Sequence, residues 1–242
     1  MSFKLSYKPF GEQGILVEWP NQISESILED VLGFKSKIGN VDVADIAEVR
    51  TAYQSLLILF HTPVNFQKKI EVLKNIYTSA ENEEKRTSQL WRIPVCYDDC
   101  FALDLEHLSA VKNITKSEIM KRHTKVTYTV YFIGFLPGFL YLGGLDDTLS
   151  MPRKSTPRLA IEKGAVAIGG NQTGVYPSES PGGWNIIGQS PIPFFDKNLN
   201  PPCFTAPGDR IQFYAVNLKE FNDIKVLVDA GVYQIESEVT ID

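Results

Sequence analysis

Glycine and proline are concentrated in one part of this chain, and this limits the possible folds more than any other sequence feature. Of the 17 glycines among the 242 residues, 11 lie between Gly134 and Gly188. Glycine permits positive φ and close backbone approach, and the neighbouring prolines fix the turns on either side. Short apolar runs, such as the one at 165–168, separate the turns. The pattern predicts small β-strands whose loops converge on one face, and the polar side chains of those loops suit a small-molecule pocket.

The second part of the chain, residues 89–242, predicts a mainly-β barrel. Residues 125–132 alternate between apolar and polar side chains, and further short apolar runs follow with Gly/Pro turns between them. Many short strands with frequent turns are typical of a closed barrel rather than of an open parallel sheet. Two short helices, expected to begin near Asp104 and at Thr115, precede the alternating run.

The first part, residues 1–88, predicts a small α+β domain of ferredoxin-like type. Its apolar pattern indicates the order strand, helix, strand, strand, helix. A capping box is expected between Ser26 and Glu29 in the first helix, and Asn65 is expected to cap the second. The run at 90–95 could supply the last strand of this domain, but it also has the pattern of a first barrel strand.

The two domains are expected to meet in a linker at 79–88. This segment is polar and charged and lacks apolar periodicity, which is typical of a linker. The alternative is that it forms the solvated end of the second helix.

The bulk composition excludes several kinds of partner. With 43% hydrophobic and 22% charged residues the chain has the composition of a soluble globular protein, and its net charge of −5 argues against nucleic acid. No apolar run approaches the ~20 residues that a membrane-spanning helix needs, and the N-terminus lacks a signal-peptide core. We therefore expect a cytoplasmic protein with neither nucleic-acid nor membrane partners.

Several cofactor motifs do not occur in the sequence. There is no G-x4-G-K-[ST] phosphate loop, no G-x-G-x-x-G turn between a strand and a helix, and no Met-Lys-Met biotinylation site. The spacing of Cys96 and Cys100 is half of a zinc motif, and the second half is missing. We therefore expect neither a metal nor biotin on this chain.

His123 and a basic loop hold the first candidate site residues. His123 stands at the end of a helix just before a barrel strand, where it either shuttles protons or only favours the helix dipole. Arg153, Lys154 and Arg158 lie on one turn between prolines. An arginine binds carboxylate or phosphate through two hydrogen bonds, and the alternative is a solvated basic loop. For Arg158 we favour anion binding, because Pro157 fixes its approach to the next strand.

A glycine-rich loop supplies most of the remaining candidates. The loop at 169–174 offers backbone N–H groups, side-chain amides and a hydroxyl. Such a loop can cradle an anion or support an oxyanion, and the alternative is a plain hairpin. Two aromatic residues further on could wall a pocket or simply pack the end of the barrel. The candidates of this region are Gly170, Gln172, Thr173, Gly174, Tyr176 and Trp184.

Four motifs of the glycine-rich stretch, in this order, resemble one family. They are GFLPGFLY at 134–141, PRKSTPR at 152–158, IGGNQTGVYP at 168–177 and SPGGW at 180–184. On these residues the chain is identified as a member of the family called allophanate hydrolase subunit 1, sporulation kinase inhibitor, or B-type subunit of bacterial 5-oxoprolinase. The resemblance extends over nearly the whole chain.

This resemblance implies an architecture and an activity. The implied fold is a ferredoxin-like domain followed by a cyclophilin-like barrel. The implied partners are a C-type subunit and an A-type subunit, with which the chain opens the lactam of 5-oxo-L-proline to L-glutamate using ATP, bound with or by the partners. In this hypothesis Arg158 grips the substrate carboxylate or a phosphorylated intermediate, Gln172 supports the developing oxyanion, and His123 shuttles a proton. Arg153 belongs to the substrate-binding group.

Three other functions stay open at this point. The family name implies a regulatory protein that docks on a histidine kinase through the barrel surface. A carboxyltransferase half for urea-type substrates would need a biotin-carrying partner. Prolyl isomerisation is suggested by barrel analogy alone, which is a weak basis for function.

Overall fold

The chain divides into two compact units, Met1–Arg86 and Thr87–Asp242. Of the predicted linker at 79–88, residues 80–86 lie outside the described residues. Within the described part of the chain, no helix is both long and apolar enough to cross a membrane. The structure is a computed structural model, and it describes residues 3–41, 45–79 and 87–241.

The first unit consists of a sheet and two helices. In chain order its elements are β1 (Ser6–Phe10), β2 (Gly14–Glu18), α1 (Glu25–Asn40), β3 (Ile46–Ala52), β4 (Ser55–Phe60) and α2 (Phe66–Thr78). The strands are antiparallel in the order β1–β2–β4–β3. Alternation places Ile15 and Val17 of β2 in one apolar cluster with residues of both helices, and both are fully buried. The predicted α+β character of this domain is therefore present.

Two details of the predicted first domain are wrong. The run at 90–95 pairs with strands of the second unit, and β1 occupies the sheet edge beside β2. The ferredoxin-like assignment is accordingly not confirmed. Ser24 caps α1 by accepting a hydrogen bond from a backbone N–H at 3.3 Å, so the helix begins before the predicted capping box at Ser26. Asn65 caps α2 as predicted.

The second unit closes into a barrel of seven strands. Its elements are β5 (Thr87–Cys96), α3 (Leu105–Lys112), α4 (Lys116–Lys125), β6 (Thr127–Ile133), β7 (Leu140–Gly143), a 3-10 turn (Asp147–Leu149), β8 (Arg158–Ile161), β9 (Ala165–Gly169), β10 (Gln172–Val175), β11 (Ser180–Gly182), β12 (Asn185–Gln189), β13 (Arg210–Val216), α5 (Leu218–Asp229) and β14 (Ser237–Ile241). The order around the barrel is β12–β9–β10–β7–β6–β13–β5, and Gln189 pairs with Cys96 to join β12 to β5. The predicted closed barrel is confirmed, and cyclophilin-like stays a prediction.

The barrel strands carry apolar side chains on both faces. Val166 and Ile168 of β9 belong to the cluster inside the barrel, whereas Ala165 and Ala167 belong to a second cluster on its outer face. The second cluster, called here the outer cluster, consists of Phe139, Ile161, Ala165, Ala167, Tyr176, Trp184 and Ile186. The glycine-rich stretch therefore supplies strands of the barrel wall and also apolar side chains on its outer face.

Candidate functional site on the outside of the barrel

One buried carboxylate, that of Asp104, holds the loop at 152–158. Asp104 is 3% exposed and accepts hydrogen bonds from Arg158 Nη1 at 2.7 Å, Arg158 Nη2 at 2.9 Å and Lys154 Nζ at 2.8 Å. It also accepts one from the backbone N–H of Ile186 at 2.8 Å. Asp104 directly precedes α3 but makes no side-chain cap there. Its two oxygens instead join the loop to β12.

These contacts keep Asp104 charged. Burial raises the pKa of its carboxyl, but hydrogen bonds from Arg158, Lys154 and the Ile186 N–H outweigh burial, so the pKa lies below its ordinary value. The same pair raises the pKa of Arg158. The fork of Arg158 is therefore already engaged by a carboxylate of the chain itself, and any substrate carboxylate would have to compete with that bidentate pair.

The backbone around Arg153 is anchored on both sides. The amide of Asn185, which is 1% exposed, donates to the carbonyl of Pro152 at 3.0 Å. The backbone N–H of Lys154 donates to the carbonyl of Gly183 at 2.7 Å. Arg153 thus projects from a segment whose preceding and following residues are both fixed to the strand region at 183–185.

The side chain of Arg153 lies exposed over an aromatic surface. Its guanidinium is 5.9 Å from the ring centroid of Trp184, within the range of a cation–π interaction. Beside it, Phe132 and Tyr141 stack with centroids 4.2 Å apart and an interplanar angle of 8°. Tyr141 meets Trp184 edge-on at 6.1 Å. We call Phe132, Tyr141 and Trp184 the aromatic shelf.

Glycines make room for these rings on the outer face. A Cβ at Gly169 would lie 2.5 Å from Cδ2 of Trp184, and one at Gly174 would lie 3.1 Å from Cζ3 of the same ring. A Cβ at Gly143 would collide with the ring of Tyr131. The rings therefore rest directly on glycine backbone, and the close approach explains these glycines without an anion.

The loop at 169–174 is only partly available as the predicted anion nest. Gly170 has a φ of +66° and donates its N–H to the carbonyl of Met151 at 2.7 Å. Thr173 is fully buried and points into the barrel, where its hydroxyl donates to a strand carbonyl at 3.1 Å. Gln172, next to it on β10, projects to the opposite, outer face and is half-buried. Of the predicted polar groups, the structure therefore brings Gln172 and Arg153 to the outside.

His123 lies inside the barrel and has no exposed surface. Its Nδ1 is 2.7 Å from the hydroxyl of Tyr97, and its Nε2 is 2.9 Å from Oγ1 of Thr173. Because the Thr173 hydroxyl donates to a carbonyl, it accepts from Nε2–H, and Nδ1 accepts from Tyr97. Burial lowers the pKa of His123 to about 3, which leaves the ring neutral. This enclosed position argues against the predicted proton shuttle to a substrate.

Tyr176 and Trp184 pack the outer cluster. They are 2% and 3% exposed, and both meet Phe139 edge-on, at 5.2 and 5.5 Å. The packing alternative therefore holds for Tyr176. Trp184 packs as well, but the guanidinium of Arg153 also lies over its ring.

Sequence reasoning missed Asp104, Asn185 and Tyr141. Asp104 was indistinguishable from a helix cap, because its partners lie 50 and 54 residues away. Asn185 carried a usable signal, since a polar residue within a buried strand run usually holds a specific hydrogen-bond partner. Tyr141 lies within the motif at 134–141, but only its strand register places it on the outer face.

Two clefts of the structure lie elsewhere. One, of about 580 Å³, is in the first unit between α1 and β3, and the other, of about 440 Å³, runs along β13 beside Arg92. Arg92 is paired with Glu236 at 3.0 Å and Glu238 at 3.2 Å, so the second cleft offers no free cation among the described residues. Nor does any group of three His, Cys, Asp or Glu side chains in the described ranges suit a metal ion. Residue chemistry therefore favours the outer barrel face over either cleft.

The architecture is an α+β unit followed by a closed barrel, with Arg153 and Gln172 beside an apolar cluster on the outer face of the barrel. The chain belongs to the family described as "Carboxyltransferase domain, subdomain C and D", which matches residues 5–205. It is 31% identical over 237 residues to the B subunit of 5-oxoprolinase from Bacillus subtilis, covering 93% of this chain and 98% of that protein. It is 33% identical over 205 residues to the corresponding B subunit from Haemophilus influenzae, covering 85% and 95%. The family resemblance inferred from the four motifs is therefore confirmed.

Solved structures share the fold of this chain. The crystal structure of TTHA0988 superposes with a TM-score of 0.74 at 29% identity, over 85% of this chain and 40% of that chain. The urea amidolyase of K. lactis superposes with a TM-score of 0.83 at 21% identity, over 100% of this chain and 16% of that chain. The second comparison supports the fold alone, and in both cases this chain spans only part of the larger polypeptide.

Proposed function

We propose that this chain is the B-type subunit of an ATP-dependent 5-oxoprolinase and acts with a C-type subunit and an A-type subunit. The reaction converts 5-oxo-L-proline, ATP and water to L-glutamate, ADP and phosphate. The observation that carries the proposal is the match to the Bacillus subtilis B subunit, which covers 93% of this chain and 98% of that protein. A match from end to end supports a shared role for the whole chain rather than for one of its domains.

The chemistry of the substrate explains the need for ATP and for partners. A lactam is a resonance-stabilised amide, so its hydrolysis requires activation of the carbonyl group, and a phosphoryl group from ATP supplies it. This sequence contains no phosphate loop. We therefore assign ATP binding to the partner proteins, or to a site completed by them, and expect the isolated chain to be inactive toward ATP.

Within this assembly we assign the outer barrel face to the substrate. Gln172 projects from β10 on the same side of the sheet as Tyr141 and can donate to the charge that develops on the lactam oxygen. Arg153 adds positive charge on that side. Asp104 and Arg158 hold the loop from behind, and this support requires no contact with the substrate.

Reconstitution tests the proposal. The chain is purified with its C-type and A-type partners, and glutamate is measured with ATP and 5-oxo-L-proline while each of the three proteins is omitted in turn. Glutamate should form only in the complete mixture. Gln172→Ala should lower kcat by about 100-fold if its amide supports an oxyanion. Asn222→Ala removes an exposed amide on α5 and should leave turnover unchanged. A complete mixture that forms no glutamate would refute the proposal.

A second candidate function is the carboxyltransferase half of a urea- or allophanate-type enzyme. The family match and the fold shared with K. lactis urea amidolyase favour it, although a shared fold is weak ground for activity. This function requires a biotin-carrying partner. Carboxylation of urea that depends on a biotinylated carrier would support it, whereas glutamate formation without biotin would favour the oxoprolinase.

A further inference from the structure

The basic loop carries three cations, and one carboxylate accounts for two of them. Lys154 and Arg158 share Asp104, at distances of 2.7 to 2.9 Å. Arg153 is left exposed and forms no ion pair within the described part of the chain. We propose that the outer barrel face at Arg153 binds a small ring carboxylate, and that Arg153 rather than Arg158 is the group that holds it.

The charge of the loop favours an anion. Lys154, Arg158 and Arg153 contribute three positive charges and Asp104 one negative charge, so the four side chains sum to +2. Lys154 and Arg158 are turned toward Asp104, whereas Arg153 faces solvent. A carboxylate arriving from solution therefore meets the guanidinium of Arg153 first, and that planar group can bind it through two hydrogen bonds.

Contacts within the chain restrain Arg153 before any ligand binds. Asn185 fixes the carbonyl before it, Gly183 fixes the N–H after it, and the indole of Trp184 lies under the guanidinium. An arginine normally loses much rotamer freedom when it binds a ligand, and prior restraint reduces this cost. The anchoring therefore favours binding by Arg153 over binding by an unrestrained surface cation.

The aromatic shelf indicates the rest of the ligand. Phe132 and Tyr141 are half-buried and stack face to face beside the buried Trp184, so the exposed parts of these two rings place apolar surface next to the cation. Burial raises the pKa of the Tyr141 hydroxyl, and nearby Arg153 opposes the rise, so this phenol is neutral at physiological pH and does not repel a carboxylate. An apolar ring bearing one carboxylate matches this arrangement.

The ligand class rests on geometry, whereas its identity as 5-oxo-L-proline rests on the proposed function. The five-membered lactam would lie against the shelf with its carboxylate on Arg153. Gln172 would then be on the lactam side. Asp104 and Arg158 become positioning residues, because they act on the ligand only through the loop that presents Arg153.

Binding measurements test the assignment on the complete chain, alone and co-purified with its partners. Calorimetric titration compares 5-oxo-L-proline with 2-pyrrolidinone, the same lactam without the carboxylate. We expect at least about tenfold tighter binding of the carboxylate, in line with one charged hydrogen-bonded pair. Arg153→Gln should abolish that preference. Lys219→Gln, which removes an exposed cation on α5, should preserve it. Equal binding of the two lactams, or an unchanged preference in Arg153→Gln, would overturn the proposal.

Kinetic measurements on the complete mixture test the positioning role of Asp104. They also distinguish failure of the carboxylate site from failure of the proposed oxoprolinase function. Asp104→Asn should raise KM for 5-oxo-L-proline with a smaller effect on kcat, and a fall in kcat alone would contradict a positioning role. Arg153-dependent carboxylate binding without glutamate formation would retain the carboxylate site and reject the oxoprolinase. Glutamate formation with an unchanged KM in Arg153→Gln would retain the oxoprolinase and reject the carboxylate site. Thermal unfolding of each variant confirms that it is folded.

Discussion

Two buried ionisable residues of the barrel unit are held in opposite charge states by their surroundings. Asp104 is surrounded by two cations and a backbone N–H, which keep it ionised despite burial. His123 has only neutral partners, the hydroxyls of Tyr97 and Thr173, so burial keeps it uncharged. The identity of the neighbours, more than the depth of burial, thus decides which residue is charged.

The neutrality of His123 predicts acid sensitivity. The folded ring binds a proton only near pH 3, whereas the unfolded ring binds one near its ordinary pKa of 6.5. Between these values the unfolded state holds one more proton, so the free energy of unfolding falls as the pH falls, by about 1.4 kcal/mol per pH unit from this group. Urea denaturation from about pH 7 to about pH 5 measures the slope.

Two variants isolate this contribution. His123→Gln should show a shallower pH dependence than the natural chain, whatever its absolute stability. His61→Gln changes an exposed histidine of the first unit and should keep the slope of the natural chain. Equal slopes for the natural chain and His123→Gln would contradict a neutral, buried His123.

Asp104 also predicts an effect on stability, but here the effect arises from a buried group that is kept charged rather than neutral. Asp104→Asn leaves two cations without a counter-charge and should lower the free energy of unfolding by about 1–3 kcal/mol. We expect no larger loss in the free energy of unfolding, because the side chains of Lys154 and Arg158 are 29% and 27% exposed and water can replace part of the lost contact. Asp99→Asn breaks the pair with Lys116, in which the Asp99 side chain is 81% exposed, and should cost less than about 1 kcal/mol. Similar losses in both variants would show that the Asp104 contacts are no stronger than a surface pair.

At the scale of elements, strands β7, β9 and β10 are distinguished by glycines on their outer face. Gly143, Gly169 and Gly174 let aromatic rings rest on the backbone, and Trp184 covers two of them. The loop at 152–158 is then fixed beside Trp184. The glycines therefore position the basic loop indirectly, through the ring that packs on them.

Gly169→Ala tests this packing. The added Cβ would overlap the Trp184 ring, with distances of 2.5 and 2.6 Å to Cδ2 and Nε1, so the ring must move. We expect a loss of about 1–3 kcal/mol and an altered near-ultraviolet circular dichroism spectrum. Gly33→Ala in α1 is the matched control, because no atom lies within 4 Å of its added Cβ. It should stabilise the chain by about 1 kcal/mol through helix propensity. An unchanged melting curve for Gly169→Ala would contradict close packing at this position.

At the scale of the whole molecule, each unit has a core of its own. The barrel core is formed within Thr87–Asp242, and β5, its first strand, pairs with β12, β13 and β14. We therefore expect the fragment 87–242 to fold alone and to unfold cooperatively in a calorimeter. The fragment 97–242 lacks β5, cannot close the barrel, and should not fold. A broad, non-cooperative transition for 87–242 would contradict the expectation.

Local patterns in the sequence were sufficient for the closed barrel and for the α+β character of the first unit. A period of two and frequent turns predicted a closed barrel, and the caps at Asn65 and Thr115 were readable because each accepts from a backbone N–H three residues further on. Ser24 was missed in favour of Ser26 because both are serines at a helix start, and local pattern does not separate them.

The site was much less predictable, because its decisive contacts join residues distant in sequence. Arg158 and Lys154 were recognised as cations, but their partner Asp104 lies 54 and 50 residues away. His123 was placed correctly at a helix end, yet only barrel closure encloses it between Tyr97 and Thr173.

By itself the sequence determined the barrel, the family and which arginines, glycines and aromatic residues are present near the site. These depend on short-range periodicity, local motifs and composition. Only the tertiary structure decided which cation is engaged by a carboxylate and which faces solvent. A charged group that is buried must find a partner, and the fold brings Asp104 to Arg158 and leaves Arg153 at the surface over Trp184. Such pairings follow from three-dimensional proximity, which spacing along the chain does not encode.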